Sequence, residues 1–141
     1  MQYGRRADCL KLWLIWNYYG SEGLEVRINR LMKIAQYAEH KVKTLAPLTL
    51  AWKPEYLNIC FYHSLEKRQI NHDWFHNKIK ESLYKKGMAM VNTASINNKK
   101  CIRLVISNPD LTEKDIDIFF ENLLKIASNL LEDSKKIWQK F

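Results

Sequence analysis

The apolar positions of this 141-residue chain change their period along its length, and each change marks an element. Residues 7–19, ADCLKLWLIWNYY, predict a helix that ends at Gly20, a residue suited to the left-handed position that closes helices. Leu10, Leu12, Trp13, Leu14, Ile15, Trp16, Tyr18 and Tyr19 leave it almost no polar face, and a helix apolar all round calls for cover on every side. Residues 22–44 are amphipathic instead. Leu24, Ile28, Leu31, Ala35, Ala38 and Val42 recur at helical steps, with Arg27, Arg30, Lys33 and Lys41 off the stripe, as in an ordinary core-facing helix. The period then shortens. Leu48–Trp52 and Leu57–His63 predict strands across the turn signal Lys53-Pro54-Glu55, and residues 64–72 are polar and irregular. Asp73–Lys86 predicts a helix closed by Gly87. Met88–Ser95 and Lys100–Ser107 predict two strands about Asn97-Asn98, residues that tolerate the left-handed backbone of tight hairpin turns. Asn108-Pro109 stops the last strand. Thr112 with Asp115 starts a final helix, whose apolar face is Ile116, Phe119, Phe120, Leu123, Leu124, Ala127 and Leu131.

Short hairpin connections imply antiparallel pairing. The expected fold is therefore α+β, an antiparallel sheet of three to four strands with helices on one face, preceded by an apolar linking helix. Composition agrees with one domain: 47% of residues are hydrophobic, and four glycines and three prolines leave room for long regular elements. The net charge of +8 is spread along the chain in runs of at most two, which reads as a solvated basic surface and argues against a nucleic-acid partner. Three isolated cysteines, Cys9, Cys60 and Cys101, make neither a disulfide framework nor a zinc ribbon, and point to a reducing, cytoplasmic setting. The apolar stretch Cys9–Tyr19 is shorter than the roughly 20 residues of a membrane span, so no membrane partner is expected.

Candidate chemistry is sparse. His72 and His76 share a helix face but lack a third ligand, so no metal site is expected. His40-Lys41 lies on the polar flank of a regular helix and reads as surface. No glycine-rich phosphate loop, nucleophile elbow or paired-carboxylate site is present. Arg103 stands out. Along Lys100–Ser107 the side chains of Ile102, Leu104 and Ile106 point one way and those of Cys101, Arg103, Val105 and Ser107 the other. A mid-strand guanidinium needs either water, as on the solvated face of a one-sided sheet, or an anion, for which its planar fork suits a carboxylate.

Three stretches taken together resemble a family. They are QYGRRADCLKLWLIWNYYG at residues 2–20 followed by SEGL, LNICFY at 57–62, and IRLVISNP at 102–109 followed by the capped helix DIDIFFENL. Their order and spacing are similar to the C-terminal part of the group II pyridoxal-phosphate-dependent amino-acid decarboxylases, nearest the glutamate and cysteine-sulfinate branch. The resemblance implies the small domain of a fold-type I enzyme, normally a homodimer, in which a large domain binds the cofactor and the small domain closes over the substrate. It divides the chain into residues 1–20, the apolar helix that joins the large domain, and residues 21–141, the small domain. It implies that Arg103 matches the arginine that binds the substrate carboxylate. It places the Schiff-base lysine, the pyridine-pairing aspartate and the phosphate-binding residues in a large domain to which no position here corresponds. The expectations are accordingly pyridoxal phosphate in the complete enzyme and none on this chain alone, no catalytic residue in this chain, and an acidic amino acid as substrate. The expected partners are the cofactor-binding large domain or a split subunit, and further copies of the chain through residues 9–19. The alternative is a stand-alone interaction module derived from the same fold.

Overall fold

The computed structural model describes residues 7–65 and 70–138, with side chains described as far as Ser134. Arg5 and Arg6 of the first resembling stretch, and residues 66–69 of the polar connection, lie outside the described residues. The elements are α1 (Asp8–Thr44), β1 (Leu48–Leu50), β2 (Asn58–His63), α2 (His72–Lys85), β3 (Asn92–Ile96), β4 (Lys99–Val105) and α3 (Glu113–Trp138). Among the described residues the strands form one four-stranded sheet of order β1-β2-β4-β3, antiparallel throughout. The α+β class and the antiparallel sheet agree with the sequence expectation. No helix among the described residues is long and apolar enough to cross a membrane.

The two expected N-terminal helices are present as one run broken at Gly20, whose φ of 67° and ψ of −179° lie in a region open to glycine and strained for any side chain. Gly20 therefore ends the first helical stretch as expected, and the second begins directly beyond it. Only the far end of α1 enters the core, through Ile34, Ala35, Ala38 and Val42. The inner face of the sheet supplies Ile59, Phe61, Ile102 and Leu104, α2 supplies Phe75, Ile79 and Leu83, and α3 supplies Ile116, Phe120, Leu123 and Ala127. Phe61 and Phe120, with ring centroids 5.7 Å apart, join sheet to helix at the centre.

Local signals set the joints. Asn97 and Asn98 both adopt positive φ, 51° and 59°, as a two-residue hairpin turn requires. Asn71 caps α2, its side chain accepting from the Trp74 amide at 2.9 Å. At the start of α3 the Asp115 carboxylate accepts from both the Thr112 amide and the Thr112 hydroxyl, at 2.8 and 2.6 Å, which is one half of a capping box. Two strands are shorter than their apolar patterns. β1 stops at Leu50, and β3 begins at Asn92 although the apolar run starts at Met88. Met88–Val91 leaves the positive-φ Gly87 outside the ladder, with Val91 buried and Met90 exposed.

Candidate functional site

The outer face of the sheet carries Asn58, Cys60 and Tyr62 from β2, and Cys101, Arg103 and Val105 from β4. Register sets Cys60 directly opposite Arg103 and Asn58 opposite Val105, so Arg103 is the diagonal neighbour of Asn58. Arg103 is exposed, and its Nε–H donates to Asn58 Oδ1 at 3.1 Å. The same oxygen is approached by Cys60 Sγ at 3.8 Å. Among the described residues no carboxylate pairs with Arg103, and the terminal nitrogens of its guanidinium face no protein acceptor.

This face is not uniformly solvated. The Tyr62 hydroxyl donates to the Ile96 carbonyl at 3.1 Å, and since β4 lies between β2 and β3 the side chain must cross β4. Cys101 beneath it is fully buried, although it shares a face with the exposed Arg103. Burial, with Cys60 nearby, pushes the Cys101 thiol up to about 11, and burial pushes the Tyr62 phenol up as well. The Cys101 thiol is therefore a protonated packing group at neutral pH. Arg103 thus stands at the end of a covered apolar strip, beside a small cleft lined by Trp52, Lys53, Glu55, Asn58, Cys60 and Ile96.

The histidine pair has a structural task. Pairing of β2 with β4 ends at Phe61 and Ile102, and the N-terminal end of α2 supplies acceptors for the amides beyond. The His63 amide donates to His76 Nε2 at 3.0 Å, and the Lys100 amide donates to Asp73 Oδ1 at 2.9 Å. His76 Nδ1 lies 2.8 Å from the His72 carbonyl, so the neutral ring donates from Nδ1 and accepts at Nε2. Burial, aided by the neighbouring His72 and His63, lowers its pKa to about 4. Both ring nitrogens are engaged, which leaves His76 no lone pair for a metal.

Residues 1–64 match the model of the pyridoxal-dependent decarboxylase conserved domain. The chain is 32% identical to cysteine sulfinic acid decarboxylase of Rattus norvegicus and 33% identical to that of Homo sapiens, in each case across 92% of this chain and 28% of the relative. It is 31% identical to an acidic amino acid decarboxylase of Xenopus tropicalis, across 92% of this chain and 27% of that protein. The crystal structure of mouse CSAD superposes with a TM-score of 0.77 at 31% identity, covering 89% of this chain and 28% of that one. The similarity is to pyridoxal-dependent decarboxylases. Oryza sativa TDC, at 20% identity and a TM-score of 0.77, shares the fold. The chain thus spans somewhat over a quarter of the length of the curated decarboxylases it matches.

Pyridoxal phosphate, the cofactor of these decarboxylases, acts as an electron sink when bound through a lysine amine. Among the described residues the His40-Lys41 pair does not fit such an anchor. Lys41, the lysine of the His40-Lys41 pair, lies on the seam between α1 and α3, with Nζ 2.7 Å from Asp117 Oδ1. The Tyr37 hydroxyl donates to the same carboxylate at 2.9 Å. Hydrogen bonds to Asp117 and then to Tyr37 hold the amine protonated above its ordinary 10.5, the reverse of what an amine nucleophile needs. Asp117→Asn is expected to move the Lys41 titration back towards 10.5, which NMR of the labelled lysine side chain reads directly. An unchanged titration would show that the clamp does not hold Lys41. Sequence reasoning singled out Arg103 but assigned no role to Asn58, although Asn58 stands in the LNICFY stretch. No signal in the sequence pairs a residue at 58 with one at 103.

Proposed function

We propose that the chain is the C-terminal, small-domain part of a pyridoxal-phosphate-dependent amino-acid decarboxylase. On this reading residues 21–141 form the small domain, residues 1–20 link it to a cofactor-binding large domain, and the substrate is an acidic amino acid. Arg103 binds a substrate carboxylate and the domain closes over the site, while the cofactor lysine belongs to the large domain. The observation that carries the reading is Arg103 itself. It is an exposed guanidinium in mid-strand, held at Nε and without a protein carboxylate, in a chain similar to decarboxylases named for cysteine sulfinic acid and for acidic amino acids. A planar fork with free terminal N–H groups suits a carboxylate bidentately.

The test joins residues 1–141 to the large domain of a related decarboxylase and compares Arg103 with Arg103→Lys and Arg103→Met. Loss of a charge-assisted contact made to the substrate is expected to cost about 1.5–3 kcal/mol in kcat/KM. Equal kinetics in all three proteins would reduce Arg103 to a surface residue.

The exposed N-terminal helix favours a second reading, a protein-interaction module built on the same fold. On either reading residues 9–19 form a contact surface, for the large domain or for another copy of the chain, and the chain works in the cytoplasm. A cofactor-domain reading frame beside the gene would favour the decarboxylase.

A further inference from the structure

We propose that Asn58 is a positioning residue for Arg103, and that its being an uncharged amide is what leaves the guanidinium available to an anionic ligand. The inference rests on the carboxylate role of Arg103 and assigns a second residue to that site. Asn58 Oδ1 accepts Arg103 Nε–H at 3.1 Å across the diagonal of the β2–β4 ladder. Cys60 Sγ, 3.8 Å away on the same face, is a second, weaker donor to that oxygen. An amide oxygen offers two lone pairs, so both donors fix the Asn58 rotamer with its oxygen turned to the arginine.

The consequence for Arg103 is geometric and electrostatic. An arginine side chain has several rotatable bonds, and holding one long exposed side chain in a single pose costs entropy. A bond at Nε removes much of that freedom and leaves the terminal N–H groups open to a ligand. Oδ1 is neutral, so it orients the cation without cancelling its charge. An aspartate at position 58 would keep the bond and strengthen it, but would neutralise Arg103 and compete with an incoming carboxylate. Among the described residues no acid pairs with Arg103, so the full charge faces outward. The chemistry recognised is a small anion that presents two oxygens to the guanidinium fork, a carboxylate or a sulfinate.

The experiment uses the full 141-residue chain, labelled with ¹⁵N, with glutarate as the probe anion. The Arg103 Nε–H signal is assigned by its loss in Arg103→Lys. Wild-type Arg103 is expected to exchange this proton with water more slowly than Arg27 and Arg30, and to shift saturably with glutarate. Asn58→Ala is expected to accelerate the exchange by about 2–10-fold and to weaken the glutarate response by a similar factor. Asn58→Asp is expected to retain slow exchange yet to lower the glutarate response by roughly tenfold or more. Slow exchange with lost binding in the Asp variant is a pattern that a merely structural asparagine would not produce. Asn58→Ala with wild-type exchange would overturn the positioning role, and Asn58→Asp with wild-type glutarate binding would overturn the role of the neutral amide. A wild-type chain whose Nε–H protection depends on Asn58 but which ignores glutarate and methanesulfinate would instead overturn the anion-binding reading of Arg103.

Discussion

The full chain is expected to self-associate, and a chain beginning at Ser21 to be monomeric. The residues responsible stand in water: Leu12, Trp13, Ile15 and Trp16 are 57%, 61%, 43% and 51% exposed, and they point to more than one side of α1. Full burial of a large apolar side chain stabilises by about 1.5–3 kcal/mol. Since these four are already about half covered, the remainder is roughly 3–6 kcal/mol per chain, or about 6–12 kcal/mol for two chains. That sum is similar to the roughly 4–15 kcal/mol that association itself costs, so the balance decides a concentration-dependent equilibrium rather than a permanent assembly. Further exposed residues on the same helix, Leu10 and Leu14 among them, tip it towards association. Light-scattering molar mass across a concentration series reads the result for both chains. A full chain that stays monomeric at high concentration, with Trp13 and Trp16 shielded from a soluble quencher, would refute it.

Folding stability is expected to fall as pH drops from 6.5 to about 4, chiefly through His76. Its folded pKa lies below the unfolded one because burial penalises the imidazolium. Above pH 6.5 the ring is neutral in both states and its contribution is fully present. Between 6.5 and about 4 the unfolded chain takes up a proton that the folded chain does not, and stability is lost. The depression amounts to at most about 3 kcal/mol. His72, lowered by burial, acts in the same direction. The carboxylates of Asp115 and Asp117 are lowered below 3.8, so their losses fall at more acid pH, and that of Glu81, lowered below 4.5 by its hydrogen bond to Lys78, enters only at the acid edge of the histidine window. His76→Gln places an amide oxygen where Nε2 accepts and cannot titrate, so its urea-unfolding free energy is expected to vary far less across this window. His76→Leu leaves the His63 amide without its acceptor and is expected to cost about 1–3 kcal/mol at pH 7 as well. A wild-type pH profile in His76→Gln would sink this account.

The final helix, the hairpin turn and the broken first helix were legible because each depends on residues close in sequence. The stripe from Ile116 to Ala127 repeats at the helical period, Asn97-Asn98 suit the left-handed turn, and Gly20 takes a backbone angle that other residues avoid. The inward set Ile102, Leu104 and Ile106 followed from strand alternation and is buried as that alternation requires. Strand ends were less legible. Met88 to Val91 is apolar enough for a strand, but whether it joins a ladder depends on what lies beside β4.

By itself the sequence determined the α+β class, the antiparallel pairing and the candidate Arg103, since periodicity, turn chemistry and motif spacing are local properties of the chain. Tertiary structure alone decided that Cys101 is covered while Arg103 on the same face is not, because Tyr62 reaches over β4 to Ile96 from another strand. It alone decided that His76 completes the β2 ladder and that Lys41 is clamped by Asp117, a residue 76 positions away in the numbering. It alone brought Asn58 to Arg103, across a separation of 45 residues. These contacts hang on how strands and helices pack. An arginine in a strand pattern looks the same whether its neighbour across the ladder is water, an acid or an amide, and only the register between β2 and β4 chooses among them.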